Sequence, residues 1–249
     1  LTAQLSDHAQ KLAISRDSIK AVQESKVVVL AIDPAVIEAV LTQPGLREAL
    51  ADKLLISVAA GWTRQKLEST LYGSPTTSDN TNGRAWVVRT LPNIAASVSQ
   101  SLTVIEISEP ALPDAYQQIT DAILGSLGKT MLIPPTLMDA TTAVAGSTPA
   151  FFAVIIDAMI DAAVAVGVPR EMARVMTVQA MQGSATLLQS GMTPAELRDQ
   201  GTSPEGCTIG GLMVLEEAGV RGHVGRALRE AVTVARLMDG TRHVNDTRQ

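Results

Sequence analysis

The sequence predicts an α/β domain with a parallel sheet, followed by a domain built from helices alone. Two observations carry this. Short apolar runs at 26–32, 54–58, 85–89, 103–107 and 130–133 alternate with helical patterns, the mark of strands buried on both faces and joined by helical crossovers. Beyond Pro134 and Pro135 no such run recurs, and apolar residues keep a helical spacing to about residue 240. The boundary is therefore placed to divide the chain into 1–134 and 135–249.

Taken in order, residues 1–13 read as a helix carrying Leu1, Leu5 and Leu12 among polar neighbours. The first strand, Lys-Val-Val-Val-Leu-Ala-Ile at 26–32, is stopped by Asp33 and Pro34, which begin a helix through Val36, Ile37, Val40 and Leu41. A second strand at 54–58 runs out into Ala59, Ala60 and Gly61, and a helix covers 63–71. Residues 73–83, rich in Ser, Thr, Asn and Gly, read as a mobile surface loop. The third strand, 85–89, closes on Thr90, Leu91, Pro92 and Asn93; short strands at 103–107 and 130–133 flank a helix at 115–127. In the second half, 151–166 is apolar on nearly every side except Asp157 and Asp161, which predicts deep burial in a helical assembly. Pro169 starts a further helix to about Ser190, and Val224, Ala227, Leu228, Ala231, Ala235 and Met238 form a last helical stripe. Residues 243–249 read as a frayed polar tail.

Composition narrows the function. A net charge of −5 and an aromatic content of 2% leave neither a basic patch nor a stacking platform, so no nucleic-acid partner is expected. The longest apolar stretch, around 149–156, reads as too short for a membrane span, and no membrane partner is expected. One cysteine, Cys207, excludes an internal disulfide and fits a reducing, cytoplasmic compartment. His8, His223 and His243 lack metal-ligand spacing, so no metal is expected. Helices this apolar, with small Ala and Gly side chains, are best buried against a second copy, so the helical half is expected to form a homo-oligomer.

Three strand exits and one loop are the candidate site. Parallel strands present their carboxyl ends to a ligand crevice, and the exits there are Ala31, Ile32, Asp33 and Pro34; Ala59, Ala60 and Gly61; and Pro92 and Asn93. The arrangement is Rossmann-like and points to a nucleotide. The second feature is residues 202–217, where a tight loop of Ser203, Pro204, Glu205, Gly206 and Cys207 runs into an apolar, helix-compatible segment. Free N–H groups and the helix dipole at such a point suit a carboxylate or phosphate. Cys207 is read as a small residue at a tight turn, because no His or Asp accompanies it as a nucleophile would need. Gly146 and Ser147 read either as a helix N-cap ahead of Pro149 or as neighbours of the ligand or subunit seam.

The order and spacing of these segments resemble the pyrroline-5-carboxylate reductases over essentially the whole chain. Residues 202–209, Thr-Ser-Pro-Glu-Gly-Cys-Thr-Ile, resemble the family's Thr-Ser-Pro-Gly-Gly-Thr-Thr-Ile. Residues 57–61, Ser-Val-Ala-Ala-Gly, and 89–93, Arg-Thr-Leu-Pro-Asn, resemble Ser-Ile-Ala-Ala-Gly and Arg-Val-Met-Pro-Asn. Residues 142–150, Thr-Ala-Val-Ala-Gly-Ser-Thr-Pro-Ala, resemble Thr-Ala-Leu-Ser-Gly-Ser-Gly-Pro-Ala, and 29–34 and 194–199 also fit. The resemblance implies hydride transfer from NADPH or NADH to the C=N bond of 1-pyrroline-5-carboxylate, giving proline. It implies that the three exits take the cofactor and that Ser203, Gly206, Cys207 and Thr208 take the substrate, with Thr208 the catalytic partner of the imine nitrogen. It also implies dimers that assemble further into a decamer.

The departures are specific. No Gly-x-Gly-x-x-Gly turn precedes Val27, so the first βαβ unit is missing here, and the expectation is that Leu1 is not the natural start or that this form binds cofactor poorly. Asp33, Ile94, Thr148, Phe151 and Glu205 stand where the family usually has Lys, Thr, Gly, Tyr and Gly. Glu205 would be strained by about 1 kcal/mol if the loop demands a positive φ. Two alternatives stay open from the residues: a paralogue reducing another cyclic imine acid, and a cofactor-free helical scaffold.

Overall fold

Val27–Leu30, Leu54–Ser57, Trp86–Leu91, Ser101–Glu106 and Gly128–Ile133 form strands β1 to β5 of one sheet, ordered as in the chain. The computed structural model describes residues 11–238, so the tail and all but the end of the expected first helix lie outside the described residues. Leu12 and Ala13 are not helical. The chain divides into two units, one ending at Met138 and one covering Asp139–Arg236.

The sheet is mixed, which corrects the expectation of a parallel one. β1, β2 and β3 are parallel, Val27 facing Leu54 and Leu54 facing Trp86. β4 runs antiparallel to β3, pairing Thr90 with Ile105, while β5 is parallel to β4. The reason is the length of residues 92–100 between β3 and β4. A parallel crossover takes about a dozen residues or more, and this short link holds only a 3-10 turn, Ile94–Val98. Pairing with β4 also carries β3 past its expected end to Leu91.

Helices cover both faces. Helices α1 (Ser18–Gln23), α2 (Ile37–Leu41), α3 (Leu46–Ala49) and α4 (Arg64–Tyr72) belong to one side, where Ile37, Leu41, Leu50, Leu67 and Leu71 pack with Leu30, Leu55 and Val87. Helix α5 (Asp114–Gly125) covers the other, Leu124 and Tyr116 meeting Leu54, Ile56, Val88 and Ile105. The period-2 alternation of β2 and β3 thus feeds two separate cores, and Leu91, Val104, Ile133 and Met138 form a third. The edge strands β1 and β5 are not buried on both faces as expected, Val29, Met131 and Leu132 being about half exposed. Leu67 is fully buried, and its truncation to Ala would cost about 2–5 kcal/mol. α1 and α3 are too short to show periodicity; α1 is legible only from its cap, Asp17 accepting from the Lys20 N–H at 3.0 Å.

The loop at 73–83 is pinned, against the expectation of mobility. The Thr76 N–H donates to the Glu68 carboxylate at 2.9 Å, Arg84 donates to the Ser74 carbonyl at 3.0 Å, and the Gly83 N–H donates to Asp52 at 3.0 Å. The anchors are charged side chains outside the loop, which hold its backbone groups.

In the second unit all described residues are helical or connecting. A short helix α6 (Met138–Thr141) and a π segment (Thr142–Ser147) lead into α7 (Thr148–Ala165), followed by α8 (Arg170–Gln189), α9 (Pro194–Gln200), α10 (Cys207–Glu217) and α11 (Val220–Leu237). Gly146 and Ser147 lie inside the π segment, and Ser147 makes no side-chain cap. Pro169 caps α8 from outside rather than starting it. α7 packs along α8, and α9 is closed by a capping box between Thr193 and Glu196. Within the single chain α7 is not deeply buried: only Ile160 is, while Phe152, Val154, Ile155 and Met159 face out. The continuous helical stretch Pro135–Ala165 spans 31 residues, so by length and composition it could cross a membrane, which corrects the reading of this segment as too short.

Candidate active site

The first candidate feature follows from β1, β2 and β3 being parallel: their exits emerge on one edge of the sheet. Ala31 to Pro34 leave β1, with Asp33 accepting from the Ala35 N–H at 2.9 Å and so turning the chain into a 3-10 segment. Ala59 to Gly61 leave β2. The Val58 N–H still donates to the Leu30 carbonyl at 3.2 Å, which keeps the two exits side by side. Ala59 is buried and Ala60 half-buried against Leu91 and Val104. Gly61 has φ +74 and a Cβ there would meet Met238 at 3.0 Å, so glycine is set by the chain's own packing. Pro92 and Asn93 leave β3. The Asn93 N–H donates to Ser101 Oγ at 3.0 Å and its side chain accepts from the Ala95 N–H at 3.0 Å. The exits of β2 and β3 are thus lined by small, neutral groups, a surface that a flat heteroaromatic ring fits, while the exit of β1 carries the exposed Asp33 carboxylate.

Two features of this edge escaped the sequence reading. Trp62 is buried and its indole N–H donates to the Pro34 carbonyl at 3.0 Å, bridging the first two exits, while Lys66 lies over its ring at 4.5 Å. Behind the exits sits a buried set of four charges. Arg64 pairs with Glu68 at 2.7 Å and with Glu106 at 3.5 Å, and Arg89 reaches Glu106 at 3.6 Å. Burial pushes the Glu106 carboxyl above the usual range, opposed by Arg89 and Arg64. The signal for this set was present: Arg89 and Glu106 each interrupt an apolar strand, with opposite charges.

A separate candidate feature, in the second unit, is the loop at 203–209. The Gly206 N–H donates to the Ser203 carbonyl at 3.0 Å, closing a four-residue turn with Pro204 and Glu205 at its centre. Glu205 has φ 59, the value a type II turn demands of its third residue and the reason glycine is usual there. Gly206 caps α10 with extended backbone, and an added Cβ would stand 2.5 Å from Ser203 Oγ and 3.0 Å from its carbonyl. Thr202 Oγ1 donates to the Asp199 carbonyl at 2.8 Å, tying the loop to α9.

Helix α10 begins at Cys207, a residue the sequence placed in the loop. Cys207, Thr208 and Ile209 therefore supply first-turn N–H groups, which have no intrahelical acceptor. No side chain caps this terminus. The Gly206 N–H is spent on the turn, so anion donors fall to Cys207 and Thr208. Cys207 is exposed, and Thr208 with it. No group of three or more possible metal ligands exists among the described residues.

Residues 135–238 match the model of the pyrroline-5-carboxylate reductase dimerisation family, and residues 2–61 match that of the coenzyme F420-dependent NADP oxidoreductases. A pyrroline-5-carboxylate reductase of Lophium arboricola is 45% identical over 94% of this chain and 74% of its own length. One from Methanosarcina acetivorans is 38% identical over 87% of this chain and 77% of its own length. Among solved structures, a pyrroline carboxylate reductase of Plasmodium falciparum with NADP bound superposes with a TM-score of 0.81 at 25% identity, covering 92% of this chain and 83% of that one. On sequence and fold alike, the chain belongs to the pyrroline-5-carboxylate reductase family.

Proposed function

We propose that the protein reduces 1-pyrroline-5-carboxylate to proline with NADPH or NADH. The observation that carries the reading is the uncapped start of α10 at Cys207 and Thr208, beside the turn closed by Ser203 and Gly206. The Cys207 and Thr208 N–H groups bind the substrate carboxylate, helped by the dipole of α10. Ser203 Oγ, held over the α-carbon of Gly206, borders the same point. Thr208 Oγ1 accepts a hydrogen bond from the N–H of the protonated imine and so fixes the C=N carbon in the orientation that hydride transfer needs. A cyclic imine that binds already protonated needs no strong general acid, which agrees with the absence of His and Lys from 203–209.

Ala31, Ile32, Asp33, Pro34, Ala59, Ala60, Gly61, Pro92 and Asn93 would hold the nicotinamide cofactor, which supplies the hydride. Their role is to exclude water and hold a ring flat. The neutral lining at the exits of β2 and β3 and the engaged polar atoms of Asn93 support that role. The dinucleotide-binding family match at 2–61 supports the cofactor class.

The exposed apolar residues of α7, α8 and α10, including Met159, Met176 and Met213, support self-association through the helical unit, as does the dimerisation match over it. The apolar stretch Pro135–Ala165 is then a subunit-contact helix and not a membrane span. Further assembly to a decamer and a cytoplasmic location complete the reading, the latter supported by the single free cysteine. Neither the scaffold nor the paralogue alternative draws support from the relatives.

The test is Thr208→Ala in the full-length protein. Turnover is expected to fall about 100-fold, the usual cost of one such hydrogen bond, with assembly unchanged by sedimentation. Unchanged turnover sinks the assignment.

A further inference from the structure

We propose that the buried cluster of Arg64, Glu68, Arg89 and Glu106 is a positioning device that sets the strand exits at 58–61 and 92–93 relative to each other, at the spacing a nicotinamide ring needs; this rests on the reductase reading above.

The placement of the four charges carries the argument. Arg64 follows Gly61 by three residues, at the start of α4, and Arg89 precedes Pro92 by three, near the end of β3. One carboxylate ties them: Glu106 lies 3.5 Å from Arg64 Nε and 3.6 Å from Arg89 Nη1. Each of the two exits is therefore held, within one turn of chain, to the same group. Both ties are charge pairs, Arg64 Nε and Glu106 Oε1 making no hydrogen bond, and the directional contacts lie on Arg64. Arg64 also donates to Glu68 at 2.7 Å and to the Glu109 carbonyl at 2.8 Å, which leaves its guanidinium plane little freedom. Glu68 in turn accepts from the Thr76 N–H at 2.9 Å. Thr90 Oγ1 donates to the Ser57 carbonyl at 3.0 Å, so the ends of β2 and β3 are joined beside the cluster as well.

Stability does not account for this set. All four side chains are between 1% and 7% exposed, so each charge has lost its water. Two cations balance two anions, yet burial still outweighs both arginines at Glu106 and pushes its carboxyl upward. The ionised carboxylate therefore costs the folded state stability at neutral pH. Apolar side chains would hold the sheet as well or better, since buried ion pairs are often neutral or unfavourable against such replacements. The surrounding positions Val87, Val88, Val104 and Ile105 are apolar and buried. What four paired charges add to such a core is a unique geometry, and the parts they join are the two exits.

The experiment uses the full-length protein and Glu106→Gln, with R89Q/E106Q as a charge-balanced companion. Three quantities are read: melting temperature, dinucleotide affinity by fluorescence titration, and amide exchange. The charge-balanced double variant is expected to melt within about 3 °C of the parent or above it, and Glu106→Gln to melt lower because two buried arginines lose a carboxylate. Dinucleotide Kd is expected to rise about fivefold or more in both. Exchange should quicken at 58–63 and 92–98 but not in α5. Parent-like affinity and exchange in a folded variant would overturn the proposal. So would a fall in melting temperature that the double variant repairs together with affinity, because a purely structural role predicts that the two move together. If neither variant folds, the cluster is a structural pillar and the proposal fails. A parent that binds dinucleotide but leaves pyrroline-5-carboxylate unreduced would remove the substrate reading alone, and the affinity and exchange measurements would still decide the role of the cluster.

Discussion

Glu205 offers the sharpest test of the substrate loop, because it combines a strained backbone with a misplaced charge. Its φ of 59 sits in the left-handed region, where an L-residue loses about 1–2 kcal/mol. Replacement by glycine removes that strain but adds about 0.5–1 kcal/mol of unfolded-chain entropy. The net gain from Glu205→Gly is about 0–1 kcal/mol, or up to roughly 3 °C in melting temperature for a chain of this size. The charge acts separately. A carboxylate about 7 Å from a bound substrate carboxylate in water repels it by about 0.6 kcal/mol, close to threefold in KM. Glu205→Gln removes the charge and keeps the strain, whereas Glu205→Gly removes both. Substrate KM is therefore expected to fall about threefold in both variants at low salt and to converge on the parent at high salt, with melting temperature rising only in the glycine variant. Steady-state kinetics at two ionic strengths and differential scanning calorimetry measure this. A substrate KM in Glu205→Gln that equals the parent's at low salt would show that no anion binds beside this turn.

Gly206→Ala places a Cβ 2.5 Å from Ser203 Oγ, so the hydroxyl must swing away; substrate KM should rise several-fold, and adding Ser203→Ala should change it little further, because the hydroxyl is already displaced. Arg64→Ala strips a buried partner from both Glu68 and Glu106 and should cost about 3 kcal/mol by denaturant titration. The raised Glu106 carboxyl favours the folded state below its ordinary pKa, and that contribution is lost as pH rises through the folded value. The stability of the parent relative to Glu106→Gln should therefore decline as pH rises above about 4.5, and a parallel pair of curves would contradict it. Met159→Glu puts a charge on the exposed apolar side of α7, where Met159 is 53% exposed in the single chain; the self-association Kd should rise tenfold or more by sedimentation, from about 1.5–3 kcal/mol of lost burial.

Much of the fold was legible because its signals are local. A run such as Val-Val-Val-Leu at 27–30 reads as a strand that Asp33 and Pro34 end, although it lies at the sheet edge with Val29 49% exposed and is not buried on both faces as expected. The substrate loop was legible for the same reason: Ser-Pro-Glu-Gly writes a turn, and Gly206 followed by apolar residues writes a helix start. Even the strain at Glu205 could be foretold, since the turn type sets its φ.

What the sequence could not decide were properties that depend on two distant segments at once. The antiparallel insertion of β4 follows from the short link at 92–100 meeting the free edge of β3, a choice between pairings and not between propensities. What covers α7 was not decided by the sequence, because apolar composition says that a surface must be covered and not which chain covers it; within the single chain only Ile160 of α7 is buried. The indole bridge from Trp62 to Pro34 and the four-charge cluster exist only because β1, β3, β4 and α4 converge. By itself, then, the sequence determined the elements, their order and the chemistry of the loop, all governed by neighbours along the chain. Only the tertiary structure decided which strand faces which, and which buried charges share one carboxylate, because those energies arise between residues far apart in sequence.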